Sequence, residues 1–395
     1  DIARQFAQRS ERLGRFPGGR AAFQKSDGSK YVAGDLWKQP DLAKTLERIA
    51  RRGRAGFYEG DTADMLVSEM RRHGGLISHD DLKDYRSVWR DPIVGAYRDY
   101  SVVSMPPPSS GGALLIQILN MMEPFAVGAM GYGSADVMHL MVEAERRAYA
   151  DRAEHLGDPD FYRVPLQQLV DKGYARQRFK GFDPDRAGIS ADVNAGAFAH
   201  ESKETTHLSI MDRTGNAVAL TTTLNSGYGS HIVVEGAGFL LNNEMDDFSS
   251  KPNTLNQFNL IGREANAIEP RKRMLSSMTP TVVLRDGKPF LVTGSPGGST
   301  IITTVLQVLV NVIDHGMTLS EAVSSPRFHH QWIPDSITVE ADSFSAGTLD
   351  ALRKKGHLDI RPARYGLGDA NSIMRVDGVL HGVEDPRTQG GAAGY

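Results

Sequence analysis

The chain has 395 residues, of which 40% are hydrophobic and 24% charged, and its formal net charge is −3 at pH 7. This length and composition are typical of a globular protein with a substantial core, organised as one large domain or two smaller ones. The near balance of charge argues against a nucleic-acid-binding or membrane-surface function, and the absence of cysteine excludes disulfides, thiolate metal sites and cysteine nucleophiles.

The first half of the chain is predicted to be mainly helical. Apolar residues recur at helical spacing in three segments, 41–50, 61–72 and 134–155, and glycines follow the first two as stop signals. Ser78 is predicted to cap a further helix, and residues 97–104 are predicted to form one strand. The segment 106–112, with three prolines, two serines and two glycines, is interpreted as a rigid loop that caps the helix after it.

The second half of the chain is predicted to contain short strands as well as helices. Short strands are predicted at 208–211, 217–223, 238–241 and 336–340, and a hairpin is predicted from 281–284 and 289–293 around the turn signal Asp286-Gly287. Apolar spacing predicts helices at 299–315 and 319–324. Strands paired as hairpins, with helices gathered separately, indicate an α+β or layered-sandwich fold rather than a doubly wound parallel sheet.

Most of the functional interpretation depends on one peptide bond, that between Glu204 and Thr205. Glu204-Thr205-Thr206 opens a predicted strand, and a cut before Thr205 would leave a threonine with a free amino terminus. The α-amine of such a residue can serve as the general base for its own hydroxyl. On the dipeptide alone, two ordinary strand threonines are the favoured interpretation, because threonine is a β-favourable residue.

Two polar clusters follow. Glu244 and Asp247 come directly after an apolar strand and could hold a ligand ammonium, as Asn225 could earlier in the chain; a solvated turn is the alternative. A Ca²⁺ site is also conceivable there, but the ligands lack the EF-hand spacing. Ser276 and Ser277 could bind a ligand carboxylate or cap a turn before a proline.

The glycine-rich loop 294–300 joins a predicted strand to an apolar helix. Its backbone N–H groups could form an oxyanion hole, whereas a phosphate cradle lacks the Walker lysine and spacing; a plain helix-start loop is the third interpretation. His329 and His330 would point to opposite faces of a strand and have no third ligand nearby, so structural histidines are favoured over a metal site.

Together these segments resemble the γ-glutamyltranspeptidase (glutathione hydrolase) family over nearly the whole chain. The matching segments are 106–112, 205–209, 241–248, 275–278, 294–299 and the ending 385–395. The resemblance implies the four-layer αββα sandwich of the N-terminal-nucleophile hydrolases, an α+β fold, and a precursor that cuts itself. Cleavage before Thr205 would separate 1–204, the C-terminal part of a large subunit, from 205–395, a small catalytic subunit, with both contributing to one αββα unit.

The resemblance also assigns roles position by position. Thr205 resembles the nucleophile, and Thr223 resembles its hydroxyl partner. The other matched positions are Asn225, Glu244 and Asp247 for the amino-acid head of the γ-glutamyl group, Ser276 and Ser277 for its carboxylate, Gly297 and Gly298 for the oxyanion hole, and Phe258 for an aromatic lid.

The implied activity is γ-glutamyl transfer from glutathione and related amides, through an ester on Thr205, to water or to an amino-acid or peptide acceptor. The family needs no metal ion or organic cofactor, and its bacterial members imply a periplasmic or extracellular protein. No apolar run reaches the roughly 18 residues of a membrane span, and the start at Asp1 without a signal-like segment predicts a processed or truncated product. Two alternatives remain open: an acylase acting on a dicarboxylyl amide such as glutaryl-cephalosporin, and a non-catalytic glutathione-binding precursor or fragment.

Overall fold

The computed structural model describes residues 2–193, 205–249 and 264–394. Phe258, the predicted lid residue, and Glu204, which precedes the predicted cleavage point, lie outside the described residues. Contacts divide the chain into two compact units: Asp1–Trp89 with Ser226–Asn243, and Arg90–Asn225 with Glu244–Tyr395. The predicted boundary between residues 204 and 205 therefore falls within the second unit, and cleavage at that point stays a prediction.

The first unit is helical. Its helices are α1 (Ile2–Leu13), α2 (Pro17–Phe23), α3 (Pro40–Arg52), α4 (Ala55–Tyr58), α5 (Asp61–His73) and α6 (His79–Asp84). The predicted helices at 41–50 and 61–72 are confirmed, and Ser78 begins α6 with a reciprocal capping box to Asp81. The strand predicted at 238–241 is wrong, because Gly236 and Gly238 both adopt positive φ and turn the chain back after one isolated bridge.

The second unit contains the remaining helices and all the strands of the described chain. The helices are α7 (Gly111–Met122), α8 (Val127–Met130), α9 (Ala135–His155), α10 (Leu166–Leu169), α11 (Lys172–Phe179), α12 (Thr300–Ile313), α13 (Leu319–Ser324) and α14 (Ala346–Lys354). The strands are β1 (Ile93–Tyr97), β2 (Tyr100–Ser104), β3 (Thr205–Met211), β4 (Ala217–Thr223), β5 (Thr281–Arg285), β6 (Lys288–Thr293), β7 (Phe328–His329), β8 (Ile337–Val339), β9 (Ile360–Pro362), β10 (Ser372–Val376) and β11 (Val379–Val383).

Six of these strands form one antiparallel sheet in the order β1-β2-β5-β6-β10-β11. The pairing of β2 with β5 joins segments from before and after Thr205 in the same sheet. The strand predicted at 97–104 is confirmed from Tyr100 onwards as β2, but its start is wrong, because Arg98 takes a φ of 52° and lies in the turn between β1 and β2. Because β2 precedes the predicted cleavage point and β5 follows it, both sides of that point are needed to complete this sheet.

The second unit is layered. Apolar residues of α7, α9 and α12 pack with those of the six-stranded sheet in one core, while the β3–β4 hairpin contacts β5, β6 and β10. Side chains alternate along β3, so His207 and Met211 are buried while the outward residues are about half exposed. The remaining strands form a three-stranded sheet in the order β7-β8-β9. Helices and sheets together make the predicted α+β class. No helix in the described ranges has both the length and the apolar character to cross a membrane.

A buried ion pair near the end of the chain predicts a large stability effect. Arg327 Nη2 donates to Asp385 Oδ2 over 2.7 Å, and both side chains are at most 2% exposed. Replacing Asp385 with alanine leaves a buried, uncompensated guanidinium, so we expect the free energy of unfolding to fall by about 3–5 kcal/mol. Chemical denaturation measures this change. Asp359→Ala, which breaks an exposed pair with Arg361, should cost less than about 1 kcal/mol; equal losses would contradict the prediction.

Candidate active site

The β3–β4 hairpin brings the two predicted catalytic hydroxyls together. The antiparallel register places Thr205, the first residue of β3, opposite Thr223, the last residue of β4. Their Oγ1 atoms lie 3.3 Å apart, within hydrogen-bond range. The backbone N–H of Asn225 donates to Thr223 Oγ1 over 2.8 Å, which fixes the rotamer of Thr223. The paired side chains are half-buried and open onto one end of the hairpin.

The glycine-rich loop after β6 reaches the same end. His207 follows Thr205 by two residues and therefore points to the same face of β3. A Cβ on Gly294 would lie only 2.2 Å from His207 Cε1, so strand and loop touch at a point that only glycine permits. Burial lowers the pKa of His207 to about 4, and its ring nitrogens contact the hydroxyls of Thr221 and Ser209. At neutral pH its imidazole is therefore uncharged and packs between β3 and the loop.

The turn 297–299 before α12, which we call the glycine turn, contains the predicted oxyanion-hole residues Gly297 and Gly298. Their φ angles are 137° and 58°, which favour glycine. Their carbonyls accept from the N–H groups of Thr300 and Ile301, which begin α12. Among the described residues, neither glycine N–H donates a hydrogen bond to the protein. Two adjacent backbone donors at the start of a helix are suited to an oxyanion.

The acidic cluster forms a short 3₁₀ turn, Glu244–Asp247, that contacts Asn225. Asn225 has a φ of 74°, and its Nδ2 donates to Asp247 Oδ1 over 3.0 Å. Burial raises the pKa of Glu244 to about 7. Residues that are far apart in sequence thus converge, with two carboxylates suited to a ligand ammonium.

Asn266 links the acidic turn to the predicted carboxylate-binding serines, and sequence reasoning missed it. Its Nδ2 donates to the carbonyl of Asp247 over 2.7 Å, and its Oδ1 accepts from the N–H of Leu275 over 3.0 Å. The side chain is 4% exposed. Because the sequence around Asn266 shows no periodicity, no local signal distinguishes it from a solvated loop asparagine.

Ser276 and Ser277 lie just before β5, and the segment 106–112 holds them. Ser109 Oγ donates to the carbonyl of Met278 over 2.7 Å, and Ser110 Oγ donates to the carbonyl of Ser276 over 2.8 Å. The predicted cap is confirmed only in part: Ser110 makes no side-chain capping bond to α7, whereas Ser109 Oγ accepts from the N–H of Gly111, the first residue of α7, over 3.3 Å. The segment has another role: its hydroxyls satisfy carbonyls of the loop that carries Ser276 and Ser277, which we call the serine loop.

The glycine turn is held by buried side chains that the sequence did not reveal. Tyr149 Oη, on α9, donates to the carbonyl of Ser299, and Ser299 Oγ donates to Gln331 Oε1. His329 is part of the same network through Thr303 Oγ1 and Gln331 Oε1, at 2.8 and 2.7 Å. Within the described residues His329 therefore acts as a structural histidine, as predicted, and contributes to holding the turn.

A different trio offers potential metal ligands. Nitrogen and oxygen atoms of His139, Glu143 and His357 lie within 4.8 Å of one another, and all three residues are buried. Burial opposes ionisation of Glu143, but Arg146 and Arg147, which donate to it, outweigh that cost and lower its pKa to about 2. The two histidine rings hydrogen-bond each other over 2.8 Å. Two guanidinium charges beside the trio oppose a divalent cation, so we interpret it as a structural polar cluster.

The layered α+β fold and the hydroxyl at the start of β3 define the class of the protein. A solved structure, the cephalosporin acylase from Bacillus halodurans, matches 100% of this chain and 70% of its own length with a TM-score of 0.84 and 26% identity. The chain therefore has the fold of the N-terminal-nucleophile hydrolases, which confirms the predicted fold class.

The family follows from the whole length of the sequence. The gamma-glutamyltranspeptidase family model matches residues 1–395, and the chain belongs to that family. It is 50% identical over 381 residues to the glutathione hydrolase proenzyme of Escherichia coli K12, covering 96% of this chain and 65% of the relative. It is 36% identical over 378 residues to the acylase ACY 1 proenzyme of Pseudomonas sp. SE83, covering 96% and 65%. The chain spans between 64% and 66% of the length of three glutathione hydrolase proenzymes that it matches.

Proposed function

We propose that this protein transfers γ-glutamyl groups from glutathione and related amides to water or to an amino-acid or peptide acceptor. The observation that carries this proposal is the pair of hydroxyls, 3.3 Å apart, at the start of β3 in a member of this family. The reaction begins after a self-cleavage before Thr205 that converts a precursor into two subunits. The names of the relatives, which are proenzymes, support such processing.

The chemistry follows from the groups around Thr205. Its Oγ1 attacks the γ-carbonyl carbon of the donor, and the hydroxyl proton passes to the α-amine that cleavage has freed. The N–H groups of Gly297 and Gly298 stabilise the negative oxygen of the tetrahedral intermediate. Breaking the C–N bond releases the amine, which takes up the proton, and leaves an ester on Thr205. Water or an acceptor amine then attacks this ester in the same way and restores the threonine hydroxyl.

The remaining residues supply specificity for the γ-glutamyl group. Asp247, held by Asn225, and Glu244 provide negative charge for the α-ammonium. Ser276 and Ser277 provide hydroxyl donors for the α-carboxylate. Phe258 is proposed as a lid over the bound donor. This division predicts that the ammonium and the carboxylate of the donor are recognised by separate parts of the site.

Intact mass measurement and N-terminal sequencing of the purified protein, incubated at neutral pH, test the processing step. We expect a new terminus at Thr205 and turnover of γ-glutamyl-p-nitroanilide. Glutaryl-p-nitroanilide, which keeps the carboxylate but lacks the ammonium, tests the substrate class. A preference for the glutaryl compound would favour the acylase activity named for one relative. Binding of glutathione by a cleaved protein without turnover would support a non-catalytic role.

We further propose a periplasmic or extracellular location and an assembly of the two subunits from one precursor. The family relationship supports both statements. Fractionation of the producing cells tests the location, and co-purification of both cleavage products under native conditions tests the assembly.

The raised pKa of Glu244 predicts how catalysis depends on pH. A carboxyl with a pKa near 7 stays protonated below that pH, and only its deprotonated form attracts an ammonium. We therefore expect kcat/KM for γ-glutamyl-p-nitroanilide to rise up to about tenfold per pH unit as the pH increases towards 7. Glu244→Gln should remove the part of this pH dependence that arises from the Glu244 carboxyl. The Thr205 α-amine also titrates near this range, so the glutaryl compound serves as control. Superimposable profiles for the two substrates would contradict the assignment.

A further inference from the structure

Arg152, on α9, contacts Ser277 in the serine loop and Ser110 in the adjoining segment 106–112. The residue is 3% exposed. Nη2 donates to Ser277 Oγ over 3.1 Å, and Nε donates to Ser110 Oγ over 2.9 Å. Ser110 Oγ in turn donates to the carbonyl of Ser276 over 2.8 Å. One buried cation is thus connected to the side chain of Ser277 directly and to the backbone of Ser276 through a single hydroxyl.

These contacts determine how Ser277 presents its proton. A serine hydroxyl has one hydrogen and two acceptor lone pairs. Because Ser277 Oγ accepts from the guanidinium, its own hydrogen points away from Arg152. The positive charge behind the hydroxyl also polarises it as a donor, and a hydrogen bond assisted by charge is stronger than a neutral one. Such a hydroxyl suits an anionic acceptor.

The acidic residue next to Arg152 in the chain is engaged elsewhere. Asp151 pairs with Arg178 over 2.8 Å and accepts from Gln117 and Tyr174. Asp151 is therefore held by other partners, whereas Arg152 donates to the hydroxyls of Ser110 and Ser277.

We propose that Arg152 is a positioning residue for the α-carboxylate of the donor, acting through Ser277 and Ser110. This inference rests on the proposed γ-glutamyl transfer and adds a specificity determinant to it. Arg152 does not touch the substrate. It fixes the hydroxyl and backbone that do, and it makes the site selective for acyl groups that carry a carboxylate next to the ammonium.

A pair of substrates isolates this role. γ-Glutamyl-p-nitroanilide carries both charged groups, whereas 4-aminobutanoyl-p-nitroanilide is the same amide without the α-carboxylate. For Arg152→Met, we expect KM for the γ-glutamyl compound to rise about 10- to 100-fold with kcat changed by less than about threefold. The KM for the 4-aminobutanoyl compound should stay within about threefold of wild type. Arg152→Lys should recover part of the selectivity, because a lysine keeps the charge but cannot reproduce the planar fork.

Arg178→Met is the matched control, because it removes another guanidinium that packs against α9 and pairs with Asp151 rather than with the serine loop. Arg178→Met should leave the ratio of the two KM values unchanged, although it should lose about as much thermal stability as Arg152→Met. If Arg152→Met does not fold, Ser110→Ala removes one of the two connections and should shift the ratio several-fold in the same direction. If the Arg152 variants raise KM by the same factor for both substrates, the inference is overturned. A wild-type protein that does not turn over the γ-glutamyl compound would instead overturn the proposed function.

Discussion

Thr205→Ala should leave the chain uncut and lower turnover of γ-glutamyl-p-nitroanilide by at least about 10³-fold. The variant removes the hydroxyl that lies 3.3 Å from Thr223 Oγ1 at the start of β3. In the proposed reaction this oxygen performs both the self-cleavage and the attack on the donor, so both steps fail together. Intact mass and initial rates, measured on the same preparation, report the two losses separately.

Two variants control for disturbance of the strand. Thr205→Ser keeps a hydroxyl at the same position and should retain cleavage and measurable turnover. Thr206→Ala changes the next residue, which faces the opposite, exposed side of β3, and should leave both steps within about threefold of wild type, as surface substitutions usually have small effects. Wild-type turnover by an uncut Thr205→Ala protein would show that another residue is the nucleophile.

Gly297→Ala should lower kcat by about 10²-fold, the typical effect of losing one oxyanion donor. Gly297 has a φ of 137°, and a Cβ there would lie 2.4 Å from Thr300 Oγ1. An alanine must therefore shift the turn, and its N–H moves away from the position of the developing charge. Because the charge exists only in the transition state, KM should change far less than kcat.

Gly287→Ala separates this catalytic effect from the cost of a positive φ. Gly287 lies in the β5–β6 turn with a φ of 73°, and a Cβ at this position would meet no heavy atom within 4 Å. The variant should lose about 1–2 kcal/mol of stability from strain with kcat unchanged. Equal falls in kcat for the two alanine variants would remove the support for an oxyanion role of Gly297.

The sequence predicted the parts of the fold that depend on local pattern. Alternation and turn residues located β3, β4 and the β5–β6 hairpin, and helical spacing located α3, α5, α9 and α12. The register of two adjacent strands then determines which threonines face each other. Local pattern failed where a single backbone angle determines the chain direction: the positive φ of Arg98 makes a turn at the start of the strand predicted at 97–104.

The residues that the sequence missed act through contacts over long distances in the chain. Asn266, Tyr149, Gln331 and Arg152 each hold a site loop through hydrogen bonds to a backbone group or hydroxyl. Such residues have no motif of their own, because any donor or acceptor at the right distance can fill the same role. The resemblance supplied the residues proposed to touch the substrate, whereas only the folded chain reveals those that hold them.

Tyr149 and Arg152 are about one turn apart on α9, so they face the same side of that helix. Tyr149 holds the glycine turn, and Arg152 holds the serine loop. A change that rotates or slides α9 would move both supports at once, whereas a change confined to either loop would move only one. New acyl specificities should therefore arise more readily by substitutions in the loops than by remodelling the helix, which would sacrifice rate together with selectivity.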